Sequence, residues 1–232
     1  SRGLGDVYKR QDLKKSYELG NTKVEALKGI NLTIQEGEFM TVAGASGSGK
    51  STLLNMIGCI DRPTSGDIYI GDQCITLLKE KELDDIRLYT IGFIFQSFNL
   101  IPVLSIYENA ELPLTITKGI SKFEKRDRVE YFLEAVGLKE QMHRKPAELS
   151  GGQRQRVAVA RALVTKPQIV LADEPTANLD SKNGIEIIEL MHNICTKEKT
   201  TFIFSTHDPK VMDRASRVCT IKDGMIVEEV YH

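Results

Sequence analysis

With 232 residues, the chain is long enough for one α/β domain with a sizeable core. Hydrophobic residues make up 41% and charged residues 27%, an ordinary globular balance, and no apolar stretch approaches the roughly 20 residues needed to span a bilayer. The net charge of −1 leaves no basic surplus for nucleic acid and no acidic run for a disordered tail, so no nucleic-acid partner is expected.

The first residues, Ser1 to Gln11, lack an initiator Met and carry no apolar periodicity. They read as a non-native leader, and a single domain is expected over residues 12–232. No secretory signal is visible, so any membrane role has to come through a partner. From Asp12 to about Thr90, short runs alternate apolar and polar residues, as in Ile30-Asn31-Leu32-Thr33-Ile34. These predict half-buried strands, broken by turns at Glu36-Gly37 and Pro63-Thr64-Ser65-Gly66.

Residues from about 97 to 152 read as helical. Ser121 and Glu124 have capping-box spacing, Val129, Phe132, Leu133 and Val136 follow one helical face, and Gly137 stands where a helix stops. Beyond them strand and helix alternate. Ile169-Val170-Leu171-Ala172 and Thr201-Phe202-Ile203-Phe204-Ser205 are apolar runs of the buried parallel kind, and Ile187, Leu190, Met191 and Ile194 form a helical face between them. The expected class is α/β, with a mostly parallel core sheet, an amino-terminal antiparallel β part and an inserted helical part. Cys59, Cys74, Cys195 and Cys219 are scattered, without metal-ligand spacing, and read as reduced thiols of a cytosolic protein.

Gly44-Ala45-Ser46-Gly47-Ser48-Gly49-Lys50-Ser51 follows the apolar run Phe39 to Ala43 and precedes a helical Leu53, Leu54, Ile57 pattern. A flexible Gly/Ser linker does not place Lys-Ser-Thr at a strand-to-helix junction. Here backbone N–H groups and a helix N-terminus face phosphate oxygens, so the loop is expected to bind a nucleoside triphosphate. Lys50 would reach the β- and γ-phosphates, Ser51 would bind Mg²⁺, and Thr52 would help to hold the α-phosphate. A strand ending in Asp173-Glu174 is by itself usually a strand reaching solvent. Downstream of such a loop, Asp173 is expected to hold Mg²⁺ and Glu174 to polarise the attacking water.

With Leu149-Ser150-Gly151-Gly152-Gln153 added, and His207 following in order, the chain resembles the ABC ATPase branch of the P-loop NTPases over almost its whole length. Gly58-Cys59-Ile60-Asp61, Phe98-Asn99-Leu100-Ile101-Pro102 and Glu111-Leu112-Pro113-Leu114 narrow the likeness to the MacB/LolD type, which serves macrolide export, lipoprotein release and peptide-antibiotic resistance. Ala45 stands where relatives often carry proline, at a variable position of the loop. Ser-Gly-Gly alone would read as an ordinary helix cap.

The resemblance implies ATP as the nucleotide and a head-to-tail homodimer, with Ser150, Gly151, Gly152 and Gln153 of one copy closing on the γ-phosphate held by the other. It also implies that Gln96 touches Mg²⁺ and water, that His207 acts near the γ-phosphate, that Asp180 faces the second copy and that Tyr17 stacks on adenine. His143, His192 and His232 read as ordinary surface or boundary residues. Transmembrane permease subunits would dock on the helical part, placing the chain on the cytoplasmic face of the membrane. A cell-division or envelope complex is the alternative, and Glu174 and His207 argue against a regulator that binds nucleotide without hydrolysis.

Overall fold

A computed structural model describes residues 6–20 and 22–232, and the side chains of residues 6–11 and of Leu19 are outside that description. Two sheets organise the molecule. The first joins β1 (Asp6–Leu19), β2 (Thr22–Gln35), β4 (Ser65–Ile70) and β5 (Gln73–Cys74) in the order β2-β1-β4-β5, antiparallel throughout. The second contains β3 (Phe39–Ala43), β6 (Ile91–Ile94), β7 (Ile169–Ala172), β8 (Thr201–Thr206), β9 (Arg217–Lys222) and β10 (Met225–Tyr231), in the order β10-β9-β3-β8-β7-β6. Its strands run parallel except for β10, which returns antiparallel to β9.

The strand alternation of period 2 gives the second sheet two apolar faces. Phe39, Val170, Ala172, Phe202 and Phe204 pack on one side with α3 (Ile106–Ile116), α4 (Lys122–Ala135), α5 (Gly151–Leu163) and α6 (Ser181–Glu198). Met40, Val42, Ile169, Leu171 and Ile203 pack on the other with α1 (Lys50–Ile57), α2 (Glu80–Tyr89) and the first sheet. Phe202 and Phe204 are fully buried, each worth about 1.5–3 kcal/mol of hydrophobic transfer. One short helix, α7 (Pro209–Met212), follows β8.

β1 begins ahead of Asp12, the expected start of the domain. Residues 6–11 lie in β1, where Tyr8 pairs with Ile34 on one side and Ile70 on the other. The alternation is interrupted because the register shifts between Arg10 and Leu13. Asp12 there adopts φ 47 and gives its N–H to Asn31 Oδ1 at 2.8 Å instead of to the ladder. Ser1–Gly5 lie outside the described residues.

The first block also holds a helix that the strand reading missed, α2. It buries only Leu83 and Ile86, so its apolar stripe is too thin to stand out. The Glu82 carboxylate accepts the Lys79 N–H at 2.9 Å and fixes its start. In the helical part, Val129, Phe132, Leu133 and Val136 are buried and Gly137 adopts φ 74 after the helix, as the spacing predicts. Ser121 caps α4 through the Glu124 N–H at 3.1 Å, yet the box is half made, because the Glu124 carboxylate pairs with Arg128 at 2.6 Å. Asn109, wholly buried on α3, accepts from the Ile101 N–H and donates to the carbonyls of Ile101, Leu104 and Ser105. That one amide pins the 101–105 loop to the helix.

Candidate functional site

The Gly44–Ser51 loop leaves the carboxyl end of β3 and runs into α1, whose first residue is Lys50. The first N–H groups of α1 have no partner within the helix and, with its dipole, favour an anion at the loop. Gly49 caps the helix at φ 111, and a Cβ there would sit 2.7 Å from the Ala26 carbonyl on β2. A side chain has no room. Lys50 is 7% exposed, its Nζ donating to the Gly44 and Ala45 carbonyls at 2.8 and 3.0 Å and lying 3.7 Å from Glu174 Oε1. A buried ammonium at the centre of the loop fits the phosphate-binding role expected of it.

Across the loop stand the residues that follow β7. Asp173 Oδ1 accepts from Ser51 Oγ at 3.1 Å and from Ser205 Oγ at 2.6 Å. Glu174 takes φ 46, a left-handed conformation costing a residue other than glycine about 1–3 kcal/mol, and its N–H donates to Ser205 Oγ at 2.9 Å. Both Glu174 carboxylate oxygens lie 3.0 Å from His207 Nδ1. His207 is exposed at the cleft mouth, whereas the Glu174 carboxylate is mostly buried.

These groups share a cleft of ≈ 990 Å³, at the upper end of the roughly 300–1,000 Å³ of small-molecule sites. Ala45, Ser46, Gly47, Gly49, Lys50, Ser51, Thr52, Gln96, Asp173, Glu174 and His207 line it. Ser48 lies beneath the loop with its hydroxyl buried and unpaired among the described residues. Ser51, Gln96 and Asp173 offer hard oxygen donors that suit Mg²⁺. No described cluster of three or more His, Cys, Asp or Glu could hold a metal alone. Magnesium borrows substrate phosphate oxygens and needs only one or two carboxylates, so the donor set fits.

Sequence reasoning missed one wall. Glu25, Ala26 and Lys28 on β2, and Asp223-Gly224 in the turn from β9 to β10, line the same cleft. The Gly224 N–H donates to the Ser48 carbonyl at 3.0 Å, the Lys28 N–H donates to the Gly224 carbonyl at 2.9 Å, and a Cβ on Gly224 would also meet the Ala26 carbonyl at 2.7 Å. An Asp-Gly turn between apolar runs is legible as a hairpin. Its position behind the phosphate loop is set by the sheet order.

Tyr17 stands beside the cleft, not among its lining residues. Its hydroxyl donates to Asp61 Oδ2 at 2.9 Å, and the Lys15 ammonium lies 4.9 Å from the ring centroid while also holding Asp61 Oδ1 at 2.7 Å. Burial alone would raise the Asp61 carboxyl, but bonds from Lys15, Tyr17 and the Arg62 N–H outweigh it and hold it below the usual carboxylate range.

Ser150, Gly151, Gly152 and Gln153 are not brought to the phosphate loop. They open α5 beside a separate depression of ≈ 470 Å³, lined in part by Ser150, Gly152, Gln153 and Asn183. Ser150 Oγ accepts the Gln153 N–H at 3.3 Å while Gln153 Oε1 accepts the Ser150 N–H at 3.0 Å, a complete capping box. Asp180 caps α6 through Asn183 at 3.0 Å, beside the same depression. The turn after Gln96 has Phe98 at φ 62 and Asn99 at φ 48, and Arg161 of α5 holds both their carbonyls. Asn178 Nδ2 donates to the Gln96 carbonyl at 2.8 Å.

A parallel sheet whose central strand feeds a glycine-rich phosphate loop, faced by an acidic strand end, defines a P-loop nucleoside triphosphatase. Comparison with known proteins goes further. A family model described as ABC transporter matches residues 27–177. An uncharacterised ABC transporter ATP-binding protein of Bacillus subtilis, YvrO, is 51% identical over 93% of this chain and 93% of its own length. The macrolide export ATP-binding/permease protein MacB of Hyphomonas neptunium is 45% identical over 94% of this chain, which corresponds to 34% of MacB. The ATP-binding cassette MJ0796 of Methanocaldococcus jannaschii, solved as a post-hydrolysis dimer bound to ADP and Pi, matches with a TM-score of 0.88 at 44% identity, covering 97% of this chain and 98% of that one. The chain belongs to the ABC transporter family.

Proposed function

We propose that this chain is the ATP-hydrolysing subunit of an export or extraction complex, working as a head-to-tail homodimer with Mg-ATP held between the copies. The single observation that carries the dimer is internal. The phosphate loop and the Ser150–Gln153 helix start are both built to meet an anion, yet they open on separate depressions that share no lining residue. A second copy, turned about, brings the missing half to each site. The dimeric MJ0796 cassette supports this reading.

Bound between Ser51, Asp173 and Gln96, Mg²⁺ would neutralise charge on the β- and γ-phosphates. Lys50 presents its ammonium at the centre of the loop, and Thr52 stands at the α-phosphate end. Glu174 accepts the proton of the attacking water through a carboxylate that His207 holds at 3.0 Å. Ser150 and the glycines after it leave helix N–H groups open toward the other copy's γ-phosphate. Asp180 would face that copy beside them.

No described helix is long and apolar enough to cross a membrane. A membrane-spanning permease, with the cassette at its cytoplasmic face, is proposed from the joined ATP-binding and permease functions in the MacB name. Glu174→Gln tests the mechanism. Hydrolysis is expected to fall by at least about 10²-fold, the loss typical of removing a general base. The variant should elute as a dimer with Mg-ATP and as a monomer with Mg-ADP in size-exclusion chromatography. A monomer at saturating Mg-ATP would overturn the two-copy site.

A further inference from the structure

Ser205 is wholly buried and belongs to none of the motifs that mark the site. β7 and β8 pair in parallel up to Ala172 and Phe204, so Asp173 and Ser205 come next at the same height. Leu171 and Ile203, two residues earlier, face the side of the sheet where α1 packs, and the period of two sends Asp173 and Ser205 to that side also. The Ser205 hydroxyl there makes two bonds of opposite sense. It donates to Asp173 Oδ1 at 2.6 Å and accepts the Glu174 N–H at 2.9 Å.

Each bond fixes something that the reaction needs. The first, with Ser51 at 3.1 Å on the same oxygen, sets the rotation of the Asp173 carboxylate. The second holds the left-handed backbone that aims the Glu174 carboxylate into the cleft toward His207. Valine or alanine would complete the strand equally well in shape and could make neither bond. A buried hydroxyl has to be satisfied, and here both of its bonds go to the acidic pair.

We propose that Ser205 is a positioning residue for hydrolysis, tying Asp173 and Glu174 into one rigid unit. The inference rests on the reading of Glu174 as the group that polarises water. The test is steady-state ATP hydrolysis by Ser205→Thr and Ser205→Val, alike in shape and different in the hydroxyl. Ser205→Thr should keep most of the rate. Ser205→Val should lose about tenfold or more in kcat, as for loss of a hydrogen bond to a charged group, with KM for ATP little changed. It should also need more Mg²⁺ for half-maximal rate, because the Asp173 carboxylate is then free to turn.

Equal kcat in the Thr and Val variants overturns the proposal. A loss shared between kcat and KM, or one that follows the melting temperature, overturns it as well, since damage to the strand would give that result. Where the branched variants prove unstable, Ser205→Ala removes the hydroxyl without added bulk, and a wild-type kcat in it is equally fatal. Glu174→Gln separates the two readings. Wild-type activity in Glu174→Gln defeats the catalytic assignment itself, whereas an inactive Glu174→Gln beside an unaffected Ser205→Val defeats only the role of Ser205. At saturating Mg²⁺ the double variant should lose nothing in kcat beyond Glu174→Gln.

Discussion

Tyr17 owes its position to two charged neighbours. Lys15 covers its ring and Asp61 takes its hydroxyl, so a side chain on an amino-terminal strand is fixed to the end of the phosphate helix. Tyr17→Ala should weaken ATP binding about fivefold, the equivalent of ~1 kcal/mol of stacking, and leave inorganic triphosphate binding intact. Asp61→Ala should do the same at a distance, by releasing the ring. The pH dependence has a definite sign. The Asp61 carboxyl is lower in the folded chain, so its contribution is complete above the unfolded value of about 3.9 and is lost as pH falls through the folded one. Calorimetric titrations between pH 5 and 8 should therefore show no change from this pair. Equal loss of ATP and triphosphate binding in Tyr17→Ala would count against adenine stacking. Burial pushes the Cys59 and Cys195 thiols up to about 11, which keeps them out of the nucleophilic thiolate form at neutral pH.

At the scale of elements, the start of α5 caps its own helix and, in the proposed dimer, would also face the other copy. Ser150 completes a capping box within its own chain, so a bulky replacement that cannot cap risks the helix as well as the proposed dimer. Asp caps a helix about as well as Ser. Ser150→Asp should therefore keep the melting temperature within about 2 °C, since one kcal/mol moves a domain of this size by about 2–4 °C. Its charge would repel the γ-phosphate of the other copy. In a Glu174→Gln background it should abolish the Mg-ATP dimer seen by size exclusion, and a surviving dimer would remove Ser150 from the interface.

The phosphate loop, the acidic strand end and the start of α5 were legible because each is a short local pattern bound to an element boundary. Ser205, the Asp223-Gly224 wall and the hold of Asn109 on its loop were not, because they depend on which strands and loops become neighbours. α2 was lost among strands because its apolar stripe is short. The strand at Asp6–Gln11 was lost because a bulge hid its rhythm.

Across the whole molecule, the β9–β10 hairpin completes the cleft that β2 and the phosphate loop begin. The Ala26 carbonyl is approached on both sides, by Gly49 of the phosphate loop and Gly224 of the β9–β10 turn, and the Gly224 N–H supports the Ser48 carbonyl. Gly224→Ala would drive a Cβ to 2.7 Å from that carbonyl at φ 80. A cost of about 1–3 kcal/mol is expected, read as a lower melting temperature together with weaker ATP binding. Unchanged values for both would mean that the turn only rests against the loop. The arrangement also sets an order of events during synthesis. The phosphate loop is made first, and its brace at Asp223-Gly224 only after the whole of the intervening sheet and helices. Until Gly224 has been added, a growing chain lacks the hydrogen bond that steadies the Ser48 carbonyl under the loop.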